Sequence, residues 1–175
     1  MKGLHEYTLL QRVEEIKLCL ENQMWQAGLA LALTIPDICG QIKFKDIKQR
    51  NTIGEKYSQW FKEYVEHYYA DESGWSGGTA KQPYFTGEMC YKLRCSFLHS
   101  GSNTTKYNFA LRVNSCDTYS LNNKEFNCIE IDIEDLCNFI CMGALSFYKE
   151  WGNHHDFTDK KCVWLDVKEW YYRNN

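Results

Sequence analysis

Proline is nearly absent from this 175-residue chain, which has two in all, and the sequence carries no internal repeat and no low-complexity tract. With 44% hydrophobic and 25% charged residues, and an aromatic share of 15% that is high for a globular chain, a disordered polymer is excluded. One folded domain over 1–175 is expected. No stretch approaches the roughly 20 apolar residues needed to span a bilayer. The N-terminal MKGLHEYTLLQRVEE has charges where a signal peptide needs an unbroken apolar run, so a cytoplasmic protein with no membrane partner is expected. A basic excess is missing too. The formal charge of -3 and a pI near 6.0 leave no whole-protein field for nucleic acid, so any phosphate contact has to be a local patch. There is no Cys-x2-Cys pair, and the SGWSGG stretch lacks the lysine and the preceding strand of a phosphate-binding loop.

Cysteine, by contrast, is abundant. Nine is an odd count, the chain is not small, and several cysteines sit inside apolar helical patterns, so they read as reduced core thiols. The one mixed cluster of potential metal ligands, His154, His155, Asp156 and Cys162, lies in a polar turn and reads as solvent-exposed, so no metal is expected.

Hydrophobic periodicity organises the rest. His5 to Glu21 reads as a helix with one buried face, and Met24 to Thr34, apolar nearly all round, as a buried central helix ended by Pro36. Thr52 to Tyr69 gives a third helix whose stripe of Ile53, Tyr57, Trp60, Phe61, Tyr64, Val65 and Tyr68 fits a core or a dimer surface better than a base-stacking platform. A flexible, Gly- and Ser-rich connection follows at about 70–85. Alternation in Tyr107 to Val113 and in Asn127 to Ile133 predicts a β-hairpin at about 106–133. A helix through Leu136, Ile140, Ala144 and Phe147 comes next, and Cys162 to Tyr172 fits either a strand or a helix. The expected fold is mainly α, a single-domain bundle of four to five helices with an inserted or appended β-hairpin.

The chemistry gathers in Gly87 to Gly101, GEMCYKLRCSFLHSG. Thr86 is placed to cap this helix, Glu88 suits the positive end of its dipole, and Gly101 suits a left-handed stop. Arg94 and His99 stand five residues apart, roughly 140° around the helix, so they share no strict stripe. A long arginine and a histidine in a loosened last turn can still converge on one pocket. Taken alone, the pair also fits a surface arginine and a histidine that favours the helix C-terminus. Asp37, the only charge in an apolar neighbourhood, either caps a helical turn after Pro36 or pairs with Arg94. Cys95 is either a packed thiol or a nucleophile under the imidazole, and Tyr91, one turn before Arg94, is placed to touch a substrate or the guanidinium. Lys43, Lys45, Lys48 and Arg50 form either a solvated face or the phosphate-contacting patch of an RNA binder.

The segment RCSFLH, set at a helix end in a chain with at least four predicted helices, resembles the Arg-x4-His signature of the HEPN family. Members are bundles of four or five helices, typically dimers whose two motifs line one cleft. Many are RNases of toxin–antitoxin, phage-abortive and CRISPR-associated systems, and others are non-catalytic scaffolds. The resemblance implies metal-independent RNA cleavage by Arg94 and His99, supported by Asp37, Tyr91, Cys95 and Ser100, with no cofactor. It also implies RNA, a second copy of the chain, and an antitoxin or other protein as partners. Cys95 follows the arginine where active members often carry Asn, Asp or His.

Overall fold

Residues 4–45, 52–70, 83–114, 128–153 and 162–174 are described by the computed structural model. Strand β1 (Leu4–Tyr7) precedes helices α1 (Leu9–Glu21), α2 (Trp25–Ala32), α3 (Ile35–Lys43) and α4 (Thr52–Tyr64), then a single 3-10 turn over Glu66–Tyr69. Helix α5 (Gly87–Ser100), strands β2 (Phe109–Arg112) and β3 (Ile129–Asp132), helix α6 (Ile133–Trp151), strand β4 (Cys162–Leu165) and helix α7 (Val167–Asn174) complete the order. The fold is mainly helical with small β elements, as expected. None of the described helices is long and apolar enough to cross a membrane.

Local signals set most boundaries. Thr8 and Gln11 form a reciprocal capping box, so α1 starts at Leu9 and not at His5; the residues before it enter β1, which pairs antiparallel with β4. Pro36 lies in the first turn of α3, where its missing N–H costs nothing, and α2 has already ended at Ala32. Cys162 to Tyr172 supplies a strand and then a helix.

The expected hairpin is corrected. Strands β2 and β3 pair in parallel, with Phe109 opposite Ile129 and Leu111 opposite Ile131. Alternation identifies a strand but carries no direction, and residues 113–128 are long enough for the crossover of a dozen or more residues that a parallel pair requires.

Helix α6 is the hub of the bundle, packing against α1, α2, α3, α4 and β3, whereas α5 packs mainly on α4. Leu136, Cys137, Ile140, Cys141, Ala144 and Phe147 of α6 are buried together with Tyr57, Trp60, Phe61 and Tyr64 of α4. The aromatic stripe is therefore core. Its two ends depart from this: Ile53 is half exposed, at 54%, and Tyr68 is partly buried against the core. Trp60 stacks on Tyr64 with ring centroids 5.2 Å apart, and Phe147 meets both edge-on. Burying each such ring contributes about 1.5–3 kcal/mol, and each well-set aromatic pair about 0.5–1.5 kcal/mol more.

Two glycines set the spacing around α4. A Cβ on Gly40 would lie 2.5 Å from the Lys56 carbonyl oxygen, and one on Gly87 2.3 Å from that of Ser58, so α3 and α5 both approach the α4 backbone as only glycine permits. The connection expected over 70–85 lies mostly outside the described residues. Its base is tied where Tyr84 N–H donates to the Tyr69 carbonyl at 3.2 Å, and Phe85 is fully buried. The His154, His155 and Asp156 turn also lies outside the described residues.

Candidate functional site

Helix α5 is capped as its sequence dictates. The Thr86 hydroxyl accepts from Met89 N–H, and Gly101 takes φ 61°, ψ 26° in the left-handed region. A second cap comes from far along the chain, where Gly87 N–H donates to Glu66 Oε1 at 2.7 Å. Fixed at both ends, α5 turns Cys90 and Leu93 into the core and holds Arg94 half-buried beside α3.

Asp37 lies in the first turn of α3 and does not cap it. Instead it grips Arg94: Nε donates to Oδ2 at 2.9 Å and Nη2 to the same oxygen at 2.8 Å, with the two side chains 13% and 20% exposed. The pairing inferred from the isolation of Asp37 is formed. The other terminal nitrogen, Nη1, lies 3.0 Å from His99 Nε2. Helix α5 stays regular through Ser100, so the length of the arginine, and not a loosened turn, closes the angular gap between positions 94 and 99. The result is a chain of three groups, carboxylate, guanidinium and imidazole, running from the half-buried floor to the exposed end of the helix.

The floor is polar but short of partners. Asp37 Oδ1 is buried and accepts no hydrogen bond, and burial pushes this carboxyl above its usual range, opposed by the charge and hydrogen bonds of Arg94. Burial acts to lower the Arg94 guanidinium, but the Asp37 charge and the hydrogen bonds that Arg94 donates to Cys95 and Asp37 outweigh it, so the cation is held more firmly than usual. Behind the pair, Tyr57 OH lies 3.3 Å from Cys90 Sγ, both fully buried. Burial raises both groups, the Cys90 thiol to about 12, so neither ionises in the folded chain.

The remaining supporting residues divide. Tyr91 points along its own helix to Cys95 and is raised by burial first and by that hydrogen bond second. Its ring packs 5.4 Å from the ring of Tyr57 and against Gly54, where a Cβ would come within 2.7 Å of it. Tyr91 thus walls the site, and the grip on the guanidinium belongs to Asp37. Ser100 is exposed one residue beyond His99, and the following turn is tied by Ser96 Oγ donating to the Thr104 carbonyl at 2.9 Å.

Of the basic cluster, Lys43 and Lys45 lie among the described residues. Lys43 donates to Glu63 Oε2 at 2.5 Å and to Tyr64 OH at 2.8 Å, and Tyr64 OH donates to Glu150 Oε2 at 2.6 Å, so the charge of Lys43 is met within the fold. Lys45 is exposed, and its carbonyl accepts from Lys56 Nζ at 3.5 Å. Lys48 and Arg50 lie outside the described residues. Among the described residues no group of three or more His, Cys, Asp or Glu could hold a metal ion.

Sequence reasoning missed Glu66 as the cap of α5 and Gly54 as the seat of Tyr91. Only the glycine left a signal, as an isolated Gly in a helical pattern of otherwise large residues. The Tyr57 and Cys90 contact joins residues 33 apart and left none. No family model, curated protein or solved structure matches the chain, and the chemistry of the site rests on its own geometry.

Proposed function

We propose that this chain is a metal-independent endoribonuclease of the HEPN type, acting as a homodimer with Arg94 and His99 as its catalytic pair. The observation that carries the reading is the meeting of a buried-anchored guanidinium with an exposed imidazole, 3.0 Å apart, at a helix end. These are the two groups that cleavage of RNA without a metal needs. Imidazole has an ordinary pKa suited to proton transfer near neutrality, and guanidinium offers planar paired donors to a phosphate.

In the reaction, His99 takes the proton of a 2′-hydroxyl and the oxygen attacks the adjacent phosphorus. The P–O5′ bond breaks, its electron pair leaves on the 5′ oxygen, and that oxygen takes a proton from solvent or from the protonated imidazole. Arg94 stabilises the extra negative charge on the phosphorane. The products are a 2′,3′-cyclic phosphate and a 5′-hydroxyl. Asp37 neutralises part of the Arg94 charge in the free protein, and two guanidinium N–H groups lie beyond those directed at Asp37 and His99, with the Cys95 sulfur as a further partner of the guanidinium. Two copies of α5 near a two-fold axis would bring two such pairs to one cleft.

The same ion pair supports a second reading. Asp37 and Arg94 bolt α3 to α5, which is what a non-catalytic module for protein partners would also require. Expression separates the two. A nuclease acting as a toxin or defence effector arrests growth of its host, and the His99→Ala chain, equally abundant and folded, does not. Growth unaffected by the parent chain at high abundance favours the module, and light scattering showing only a monomer rejects the shared cleft.

A further inference from the structure

Building on the proposed nuclease, the structure assigns His99 a fixed tautomer, with its proton on Nδ1 and its Nε2 lone pair masked by Arg94, and makes Asp37 the positioning residue that sets it through the guanidinium. A guanidinium has five N–H donors and no acceptor, so the contact of 3.0 Å between Nη1 and Nε2 requires Nε2 to accept. A neutral imidazole that accepts at Nε2 carries its proton at Nδ1.

Asp37 makes the contact directional. By taking both Nε and Nη2 on one oxygen, it fixes the plane and rotation of the guanidinium and leaves Nη1 facing the helix C-terminus. Because Oδ2 is 2.8–2.9 Å from both donors and the carboxylate is anchored on a separate helix, α3, the arginine is not free to follow the exposed imidazole. The imidazole is placed by the arginine.

A masked base follows. The lone pair that would accept a 2′-hydroxyl proton is occupied in the free protein, so proton transfer to Nε2 is blocked by one hydrogen bond. A phosphate that draws Nη1 towards its own oxygens releases that lone pair. Binding of the scissile phosphate and exposure of the base are then one event, and an imidazole without a phosphate beside it stays idle. A phosphodiester of RNA and free inorganic phosphate share this chemistry, and they differ in whether a 2′-hydroxyl is in reach.

Long-range proton–nitrogen correlation spectra of the full-length chain, recorded at a pH where the ring is neutral, read the tautomer directly. The expected result is a majority Nδ1–H ring in the parent protein. Asp37→Ala should return it to the Nε2–H majority of a free histidine side chain, and inorganic phosphate added to the parent should do the same without any substitution. A majority Nε2–H ring in the parent overturns the assignment. A Nδ1–H ring that persists in folded Asp37→Ala overturns the positioning role, and one unmoved by saturating phosphate overturns the masking. Should Asp37→Ala fail to fold, Arg94→Lys and the phosphate titration carry the test. None of these readouts depends on RNA cleavage, so a correct tautomer in a protein that never cuts RNA rejects the nuclease and leaves the assignment standing.

Discussion

Removing Arg94 and removing Asp37 break the same ion pair but do not cost the same. In Arg94→Ala the carboxylate stays behind at 13% exposure, with Oδ1 already buried and unpartnered and Oδ2 stripped of both its donors. Stranding one member of a buried pair costs about 3–5 kcal/mol, and the partial exposure of this one lowers the expectation to about 2–4 kcal/mol. In Asp37→Ala the arginine is left behind, but at 20% exposure it can turn to water, while an unsatisfied oxygen is removed. About 1–2 kcal/mol is expected. Urea unfolding of the parent, both single variants and the double variant measures the coupling, and the double variant should cost less than the two singles summed by more than about 1 kcal/mol. The pH dependence has a definite sign. Burial raises the Asp37 carboxyl, so the folded chain takes up this proton more readily than the unfolded one, and the penalty of a charged Asp37 is full above the folded pKa and relieved as pH falls through it. The gap between parent and Arg94→Ala should therefore be wider at neutral pH than in mild acid. Equal, additive costs with no such narrowing would refute the account of this floor.

Gly54→Ala should destabilise by about 1–2 kcal/mol, opposite in sign to the gain of about 1 kcal/mol usual for that change in a helix, because the new Cβ meets the Tyr91 ring at 2.7 Å; a higher midpoint in urea would contradict this seat for Tyr91. Burial would raise the Glu63 carboxyl, but the hydrogen bonds from Lys43 and Gln59 and the Lys43 charge hold it below its usual value, so its contribution is present above the unfolded pKa near 4.3 and is lost as pH falls through the folded one. Glu63→Gln should cost up to about 1 kcal/mol at pH 7 and almost nothing at pH 2, and a cost independent of pH would show that the lysine contact is not what matters.

Much of the candidate site could be read from the sequence because its determinants are local or conspicuous. Thr86 and Gly101 bound α5 through contacts within a turn of themselves, and a lone carboxylate among Ile35, Ile38 and Cys39 left two readings, a cap or a cation, of which the fold takes the second. Direction was the difficulty elsewhere. The alternation of Ile129, Ile131 and Ile133 marks a strand equally well in either orientation, and nothing in it tells a parallel partner from an antiparallel one. A basic cluster in sequence likewise does not reveal that Glu63, twenty residues on, accepts from Lys43 within the fold. The walls of the site, Tyr57 with Cys90 and Gly54 under Tyr91, depend on how α4 and α5 stack, and apart from the isolated glycine they have no local signature.

Cleavage of a single-stranded RNA by the purified chain in excess EDTA tests the central claim most directly. The account predicts fragments ending in a 2′,3′-cyclic phosphate or its hydrolysis product, with the rate falling about 10²- to 10⁴-fold in His99→Ala and about 10²- to 10³-fold in Arg94→Ala. Arg94→Lys, which keeps the charge but loses the planar fork, should recover little of it. A folded Arg94→Ala/His99→Ala chain that cuts RNA as fast as the parent would contradict the account, and so would a parent that leaves RNA intact at every concentration where it is folded.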